Sequence, residues 1–148
     1  MCSIVEFEPE YQEKVWKFLE KCLPESGRTF DLSGRHREYL DIGNSYEKFW
    51  CLFDGEAITG TVALKRMNDT EIELKSLYLL EKYHGRGLGR RLLETALKYA
   101  AEKEYKTILL DTKSSSEKAI RLYRKAGFVM TERYNNNENA DVFMKLLI

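Results

Sequence analysis

The segment Leu88–Glu102 carries the clearest helical pattern, because its apolar side chains recur every three or four positions and its charged side chains lie largely opposite. The same spacing predicts a helix from Tyr11 onward that ends at Pro24 and Gly27. A third helix is predicted over residues 114–128, with a serine cap at its start and a glycine at its end.

Runs rich in β-branched and aromatic residues predict the strands. The turn pairs Asp54-Gly55 and Asn68-Asp69 separate such runs in the middle of the chain. Strands are expected near residues 3–8, 46–53, 56–66, 71–79, 105–112, 128–134 and 141–148. The polar stretch between the first helix and the second strand predicts a loop with a short helix. Strands followed by helix, strand, helix and a final hairpin predict a mixed α/β sheet.

The strand expected at 71–79 changes its rhythm part-way. Ile72 and Leu74 share one parity, whereas Leu77 and Leu79 share the other. A strand with one buried face cannot switch faces without an inserted residue, so this pattern predicts a β-bulge near positions 75–76. A strand buried on both faces beyond that point is the alternative.

Composition narrows the class of protein. The 148 residues suit a single domain over 1–148, and 24 basic against 24 acidic residues give no global field that would attract nucleic acid or an anionic membrane. No apolar run approaches the roughly 20 residues of a membrane span. The three cysteines lack Cys-x-x-Cys spacing and only two histidines accompany them, so we expect no metal site. Without an apolar leader, a reducing cytoplasm is the expected location.

The candidate chemistry lies in YHGRGLGRRLL, residues 83–93, where a glycine-rich turn joins a strand to a helix. The first amides of a helix have no internal partners and its dipole attracts anions, so this turn predicts a phosphate site. A dinucleotide fingerprint fails because Arg90 and Leu92 stand where its third glycine is needed. A P-loop fails too, for lack of its lysine and hydroxyl. Glycines that only permit a tight turn are the alternative.

The frame from His84 to Gly89 resembles the acyl-CoA signature Gln/Arg-x-x-Gly-x-Gly/Ala of the GNAT superfamily of N-acetyltransferases. Gly87 and Gly89 match the signature, while a histidine occupies the Gln/Arg position. The preceding IELKSLYLL is similar to the bulged fourth strand of that family. The resemblance implies the GNAT fold: an α/β protein whose mixed, mostly antiparallel central sheet is flanked by helices.

A second motif lies in SEKAIRLYRKAGF, which is similar to the family segment Asn-x-x-Ala-x-x-x-Tyr-x-x-x-Gly-Phe. Ala119, Tyr123, Gly127 and Phe128 fit, and Ser116 replaces the asparagine. The resemblance implies transfer of an acetyl group from acetyl-CoA to a primary amine. Tyr123 then matches the general acid for the leaving thiolate, with a core aromatic as the alternative.

Further roles follow from the resemblance alone. Glu73 stands where some members carry a general base, with a solvent-facing strand glutamate as the alternative and Glu71 as a weaker candidate. The residues implied in binding acetyl-CoA are Leu77, Tyr78, Leu79, His84, Gly85, Arg86, Gly87, Leu88, Gly89, Arg90 and Ser116.

The acceptor pocket is expected from Arg28–Tyr39 and Tyr134–Asn139, the segments that line it in relatives. The arginines of the first segment suggest an acceptor with a carboxylate or phosphate beside its amine, and a charged surface loop is the alternative explanation. A small-molecule acceptor is expected, and the chain is a monomer or a homodimer. The other interpretations are a non-catalytic acyl-CoA-binding sensor and a protein-interaction domain that has kept the fold.

Overall fold

The computed structural model describes residues 2–148. Within that part of the chain lie seven strands and four α-helices. Their bounds are β1 (Cys2–Glu6), α1 (Gln12–Glu25), α2 (Ile42–Ser45), β2 (Lys48–Asp54), β3 (Ala57–Arg66), β4 (Glu71–Leu79), α3 (Leu88–Glu102), β5 (Thr107–Thr112), α4 (Glu117–Ala126), β6 (Val129–Met130) and β7 (Val142–Leu147). Short 3₁₀ turns cover Pro9–Tyr11, Arg37–Asp41 and Glu81–Tyr83.

All seven strands belong to one sheet in the order β1-β2-β3-β4-β5-β7-β6. Neighbouring strands are antiparallel except β4 and β5, which are parallel. The predicted mixed, mostly antiparallel sheet is therefore confirmed. The pairing of β4 with β5 covers only Glu71–Glu73 against Thr107–Leu109. Beyond Glu73 the two strands part, which opens the sheet at its centre.

The bulge predicted in β4 is confirmed. Ala63 of β3 pairs with Lys75, whereas Thr61 pairs with Tyr78, so one residue of β3 faces two of β4. Ser76 lies in that bulge with a left-handed φ of 57°. The extra residue moves the apolar side chains of β4 from one face to the other, which accounts for the change of parity in the sequence.

The core forms where α1 and α3 pack on the central strands. Most of the predicted apolar stripe of α3 is buried, with Leu92 and Leu93 at most 1% exposed, whereas Leu97 is half-buried and Ala101 is exposed near the end of the helix. Phe18 and Leu19 of α1 are buried as well. Removing one such side chain from water stabilises the fold by about 1.5–3 kcal/mol. The buried side chains of α3 therefore hold the helix, including its N-terminus, against the sheet.

Helix α1 ends at Glu25, between Pro24 and Gly27 as predicted, with Pro24 inside its last turn. Two local predictions need correction. Ser116 occupies the N-cap position of α4, but its side chain makes no capping hydrogen bond. The strand expected over 128–134 shrinks to the two residues of β6. After Thr131, whose amide donates to the carbonyl of Phe143, the chain leaves the sheet. The other predicted bounds agree within a few residues.

Candidate active site

A cavity of about 1070 Å³ opens where β4 and β5 part. Its walls come from β4, the start of α3, α4, the segment after α1 and the connection between β6 and β7. The cavity brings together most of the site residues predicted from the sequence. Those that line it are Glu73, Leu77, Tyr78, Leu79, His84, Gly85, Gly87, Leu88, Gly89, Arg90, Ser116 and Tyr123.

The glycine loop has the backbone geometry of an anion site. Gly85 and Gly87 have left-handed φ angles of 79° and 75°, which only glycine adopts without strain. A Cβ at either position would meet no atom within 4 Å, so the loop is open. The amide of Arg91 makes the first bond of α3, to the carbonyl of Gly87. The amides of residues 88–90 therefore have no partner inside the helix, and the helix dipole favours an anion there.

Tyr123 is held in the cavity wall by α4. Its ring packs edge-on against the ring of Phe128, with 5.8 Å between the two ring centres, and 7% of Tyr123 is exposed. Burial raises the pKa of Tyr123, so its hydroxyl keeps the proton at neutral pH. The structure thus places a neutral proton donor on the cavity surface.

Glu73 is buried, with 7% of the residue exposed, so the solvent-facing alternative is wrong. Its Oε2 accepts a 2.5 Å hydrogen bond from the Tyr134 hydroxyl and a longer one, 3.5 Å, from the Asn135 amide. Its Oε1 lies 3.7 Å from the Lys75 ammonium. Burial and the Glu73 charge raise the pKa of Tyr134, so this tyrosine stays a hydrogen-bond donor. Glu71, in contrast, lies outside the cavity and accepts a hydrogen bond from Asn68.

Residues 9–128 match the family model described as the acetyltransferase (GNAT) family. The chain belongs to the GNAT family. It is 29% identical over 124 residues to N-acetyltransferase 8 of Mus musculus, a match that covers 80% of this chain and 52% of that protein. The chain therefore spans about half the length of such relatives.

Solved structures show the same fold. An acetyltransferase from Streptococcus agalactiae superposes with a TM-score of 0.89 at 23% identity, covering 99% of this chain and 98% of that one. A GNAT family acetyltransferase from Elizabethkingia anophelis, solved with acetyl-CoA bound, superposes with a TM-score of 0.69 at 20% identity, with coverages of 99% and 98%. At such identities the likeness concerns the GNAT fold alone.

Sequence reasoning missed Asp111, a cavity carboxylate that shares the Asn135 amide with Glu73. Asp111 follows the buried run of β5, and its Oδ2 accepts hydrogen bonds from the amides of Asn135 at 2.6 Å and Asn137 at 3.3 Å. Its position at the carboxyl end of a buried strand was the available signal. Asn135 donates to both Asp111 and Glu73, so the β6–β7 connection ties β4 and β5 together where they part.

The segment after α1 is attached to the bulge of β4. The hydroxyls of Tyr39 and Ser76 share a 2.5 Å hydrogen bond in the interior. The Trp16 indole donates to the backbone carbonyl of Tyr39, and Thr61 donates to the carbonyl of Ser76. These bonds hold the segment after α1, which forms one wall of the cavity, against the bulge of β4.

The side chains of Arg86 and Arg90, in the glycine loop, already contact other surface residues. The Arg86 guanidinium lies 5.1 Å from the ring centre of Tyr83, and Arg86 does not line the cavity. Arg90 lines it but forms an ion pair of 2.7 Å with Glu94. The backbone amides are therefore better placed for an anion than these side chains.

No helix in the described part of this GNAT chain has both the length and the apolar character needed to cross a membrane. Among residues 2–148 there is also no group of three or more histidine, cysteine, aspartate and glutamate side chains placed to hold a metal ion.

Proposed function

We propose that the chain, acting as one domain over residues 1–148, transfers an acetyl group from acetyl-CoA to a primary amine of a small molecule. The observation that carries this proposal is that the glycine loop, the Tyr123 hydroxyl and the buried Glu73 line one cavity. Membership of the GNAT family supports the acetyl transfer. A non-catalytic acyl-CoA sensor would need only the glycine loop, so the second and third groups favour the enzyme.

The residues present fit acetyl-CoA, which when bound supplies an activated thioester. Open left-handed glycines and the partnerless amides of residues 88–90 suit a pyrophosphate. The backbone of Leu77–Leu79 lies beyond the last pair that β4 forms with β5, so it is available to the pantetheine arm. Ser116 also lines the cavity and makes no capping bond, so its hydroxyl is available to the pantetheine arm. A β4 amide donating to the acetyl oxygen would stabilise the charge that develops there.

Glu73 and Tyr123 carry out the two proton transfers of the proposed reaction. An amine with an ordinary pKa of about 10 is protonated at neutral pH, so it must lose a proton before it attacks. Glu73 accepts that proton, directly or through a water molecule, while Tyr134 holds its Oε2 in place. Tyr123 keeps its own proton because burial raises its pKa, and it donates this proton to the sulfur that leaves.

The test measures thiol release from acetyl-CoA across a panel of amines, together with CoA affinity. Tyr123→Phe removes the proton donor and should lower kcat by about 100-fold, the lower end of the effect of a general acid, with little change in CoA affinity. CoA binding without turnover on any amine would favour the sensor instead.

Gly87→Val tests the glycine loop. The φ of 75° strains any side chain, and the valine would project into the open loop where the phosphates bind, so CoA binding should be lost. Gly55→Val is the matched control, because Gly55 has a φ of 63° and open space but lies in the β2–β3 turn outside the cavity. An equal loss of affinity in Gly87→Val and Tyr123→Phe would contradict the assigned roles.

A further inference from the structure

A smaller recess of about 510 Å³ adjoins the cavity. Residues 27–31 of the segment after α1 form one side of it, and Lys113, just after β5, lies on another. Arg28, Arg35, His36 and Lys113 line both the recess and the main cavity. The recess is therefore continuous with the site rather than a separate surface feature.

The charges of the recess are not balanced internally. Three cations line it, and Asp31 is the one carboxylate among its described lining residues. The Oδ1 of Asp31 accepts hydrogen bonds from the amide and hydroxyl of Ser33, so it is bound to its own turn. Within residues 2–148 no ion pair joins Arg28, Arg35 or Lys113 to a carboxylate. The recess is thus a local positive region in a chain with no net charge.

His36 adds a neutral donor to this region. Its Nδ1 accepts a hydrogen bond from the amide of Asp31 at 3.0 Å, so the neutral ring carries its proton on Nε2. Contacts with the rings of Phe30 and Tyr39 hold the imidazole in place. Burial is the main cause that lowers the pKa of His36; the charges of Arg35 and Arg28 lower it further, and the charge of Asp31 opposes them.

We propose that this recess binds an anionic group of the acceptor, so that the acceptor is a small amine that also carries a carboxylate or a phosphate. This inference rests on the proposed function. Arginine recognises both groups through paired N–H donors. The carboxylates Glu73 and Asp111 line the same cavity and suit the ammonium end of such a molecule. One cavity thus offers complementary charges to the two ends of the acceptor.

The first experiment uses matched pairs of acceptors that differ only in the anionic group: α-amino acids against their amides, and phosphoethanolamine against ethanolamine. The charged member should be acetylated with a kcat/KM about tenfold higher or more, the effect of one charge-assisted hydrogen bond. Arg35→Gln should reduce that preference towards one by raising the KM of the charged acceptor. The KM of acetyl-CoA should not change.

Arg37→Gln is the control, because Arg37 lies in the same segment but lines neither the recess nor the cavity. It should keep the preference for the charged acceptor. Equal rates within every pair would overturn the proposal. A rise in the KM of acetyl-CoA rather than of the acceptor in Arg35→Gln would overturn it as well, because the recess would then hold the phosphates of CoA.

The second experiment does not depend on activity. Acetate and inorganic phosphate are titrated separately into the protein saturated with CoA, and the imidazole signals of His36 are followed by NMR. Saturable shifts are expected in the wild type and in Arg37→Gln, and none in the double variant Arg28→Gln/Arg35→Gln. Anion binding without acetylation of any amine would reject the proposed function and leave the anion site. Acetylation without anion binding would reject the recess and leave the enzyme.

Discussion

His84 holds the glycine loop against the end of β4 with one hydrogen bond. Its Nε2 lies 3.0 Å from the backbone oxygen of Leu79. A carbonyl oxygen only accepts, so Nε2 carries a proton and donates it. The family signature has glutamine or arginine at this position, and both of those side chains also carry N–H donors. His84 thus shares an N–H donor with those residues, and in this chain the donor reaches back to β4.

His84→Ala should weaken CoA binding, because the loop loses the bond that fixes it to β4. A typical hydrogen bond contributes about 1 kcal/mol, so we expect the Kd of CoA to rise roughly fivefold. Isothermal titration calorimetry gives this value directly. His84→Gln is the matched variant that keeps a donor, and it should bind CoA nearly as the wild type does. Unchanged affinity in His84→Ala would show that the bond does not position the loop.

β4 serves two purposes along its length, and the bulge separates them. Up to Glu73 it pairs with β3 on one edge and with β5 on the other. Beyond the bulge it pairs with β3 alone and leaves its other edge to the cavity. Ser76, at the bulge, combines a left-handed backbone with a buried hydrogen bond to Tyr39. The shape of β4 at the bulge therefore depends on both the backbone conformation and the hydroxyl of Ser76.

Ser76→Ala and Ser76→Gly separate these two contributions. Both lose the hydroxyl, but glycine accepts the φ of 57° without strain because it has no Cβ, whereas the Cβ of alanine crowds the backbone there. We expect Ser76→Ala to be the less stable of the two by roughly 1 kcal/mol. Urea unfolding measures both values. Tyr39→Phe, which removes the same hydrogen bond without touching the backbone, is the reference for the hydroxyl alone. A glycine variant no more stable than the alanine variant would contradict strain at the bulge.

The length of β6 could not be predicted from the local sequence pattern. FVMTERY has the composition of a strand, yet only Val129 and Met130 pair with β7. The tyrosine and asparagine that follow donate to Glu73 and Asp111 instead. Those carboxylates are distant in sequence, so a local pattern of apolar residues contains no information about them.

At the level of the whole molecule, tyrosines connect the core to acidic groups. Tyr99 and Tyr105 donate to the two oxygens of Glu47, and burial followed by that carboxylate raises the pKa of each to about 12. Burial also raises the pKa of Tyr39, Tyr46, Tyr123 and Tyr134. Most phenols of the folded chain thus resist ionisation.

Raised tyrosine pKa values predict the pH dependence of stability. The neutral phenols stabilise the fold fully below about pH 10, the ordinary tyrosine pKa of the unfolded chain. This stability is lost as pH rises from there through the folded values near 12. Absorbance at 295 nm should show most phenolates appearing above pH 11, together with unfolding seen by circular dichroism. The same titration in urea should centre near pH 10, and a folded chain that titrated there too would contradict the burial of these rings.

Local chemistry allowed the sequence alone to predict the glycine loop, the helix that follows it and the bulge, whereas the Tyr123 motif was found through its resemblance to a family segment. A left-handed turn needs glycine, a helix repeats every 3.6 residues and a strand every two, so each of these features leaves a mark within a few residues. The tertiary structure decided the burial of Glu73, its bond from Tyr134 and the recess that joins Arg28 to Lys113. Burial and hydrogen-bond partners depend on which distant segments meet, and only the folded chain brings those segments together.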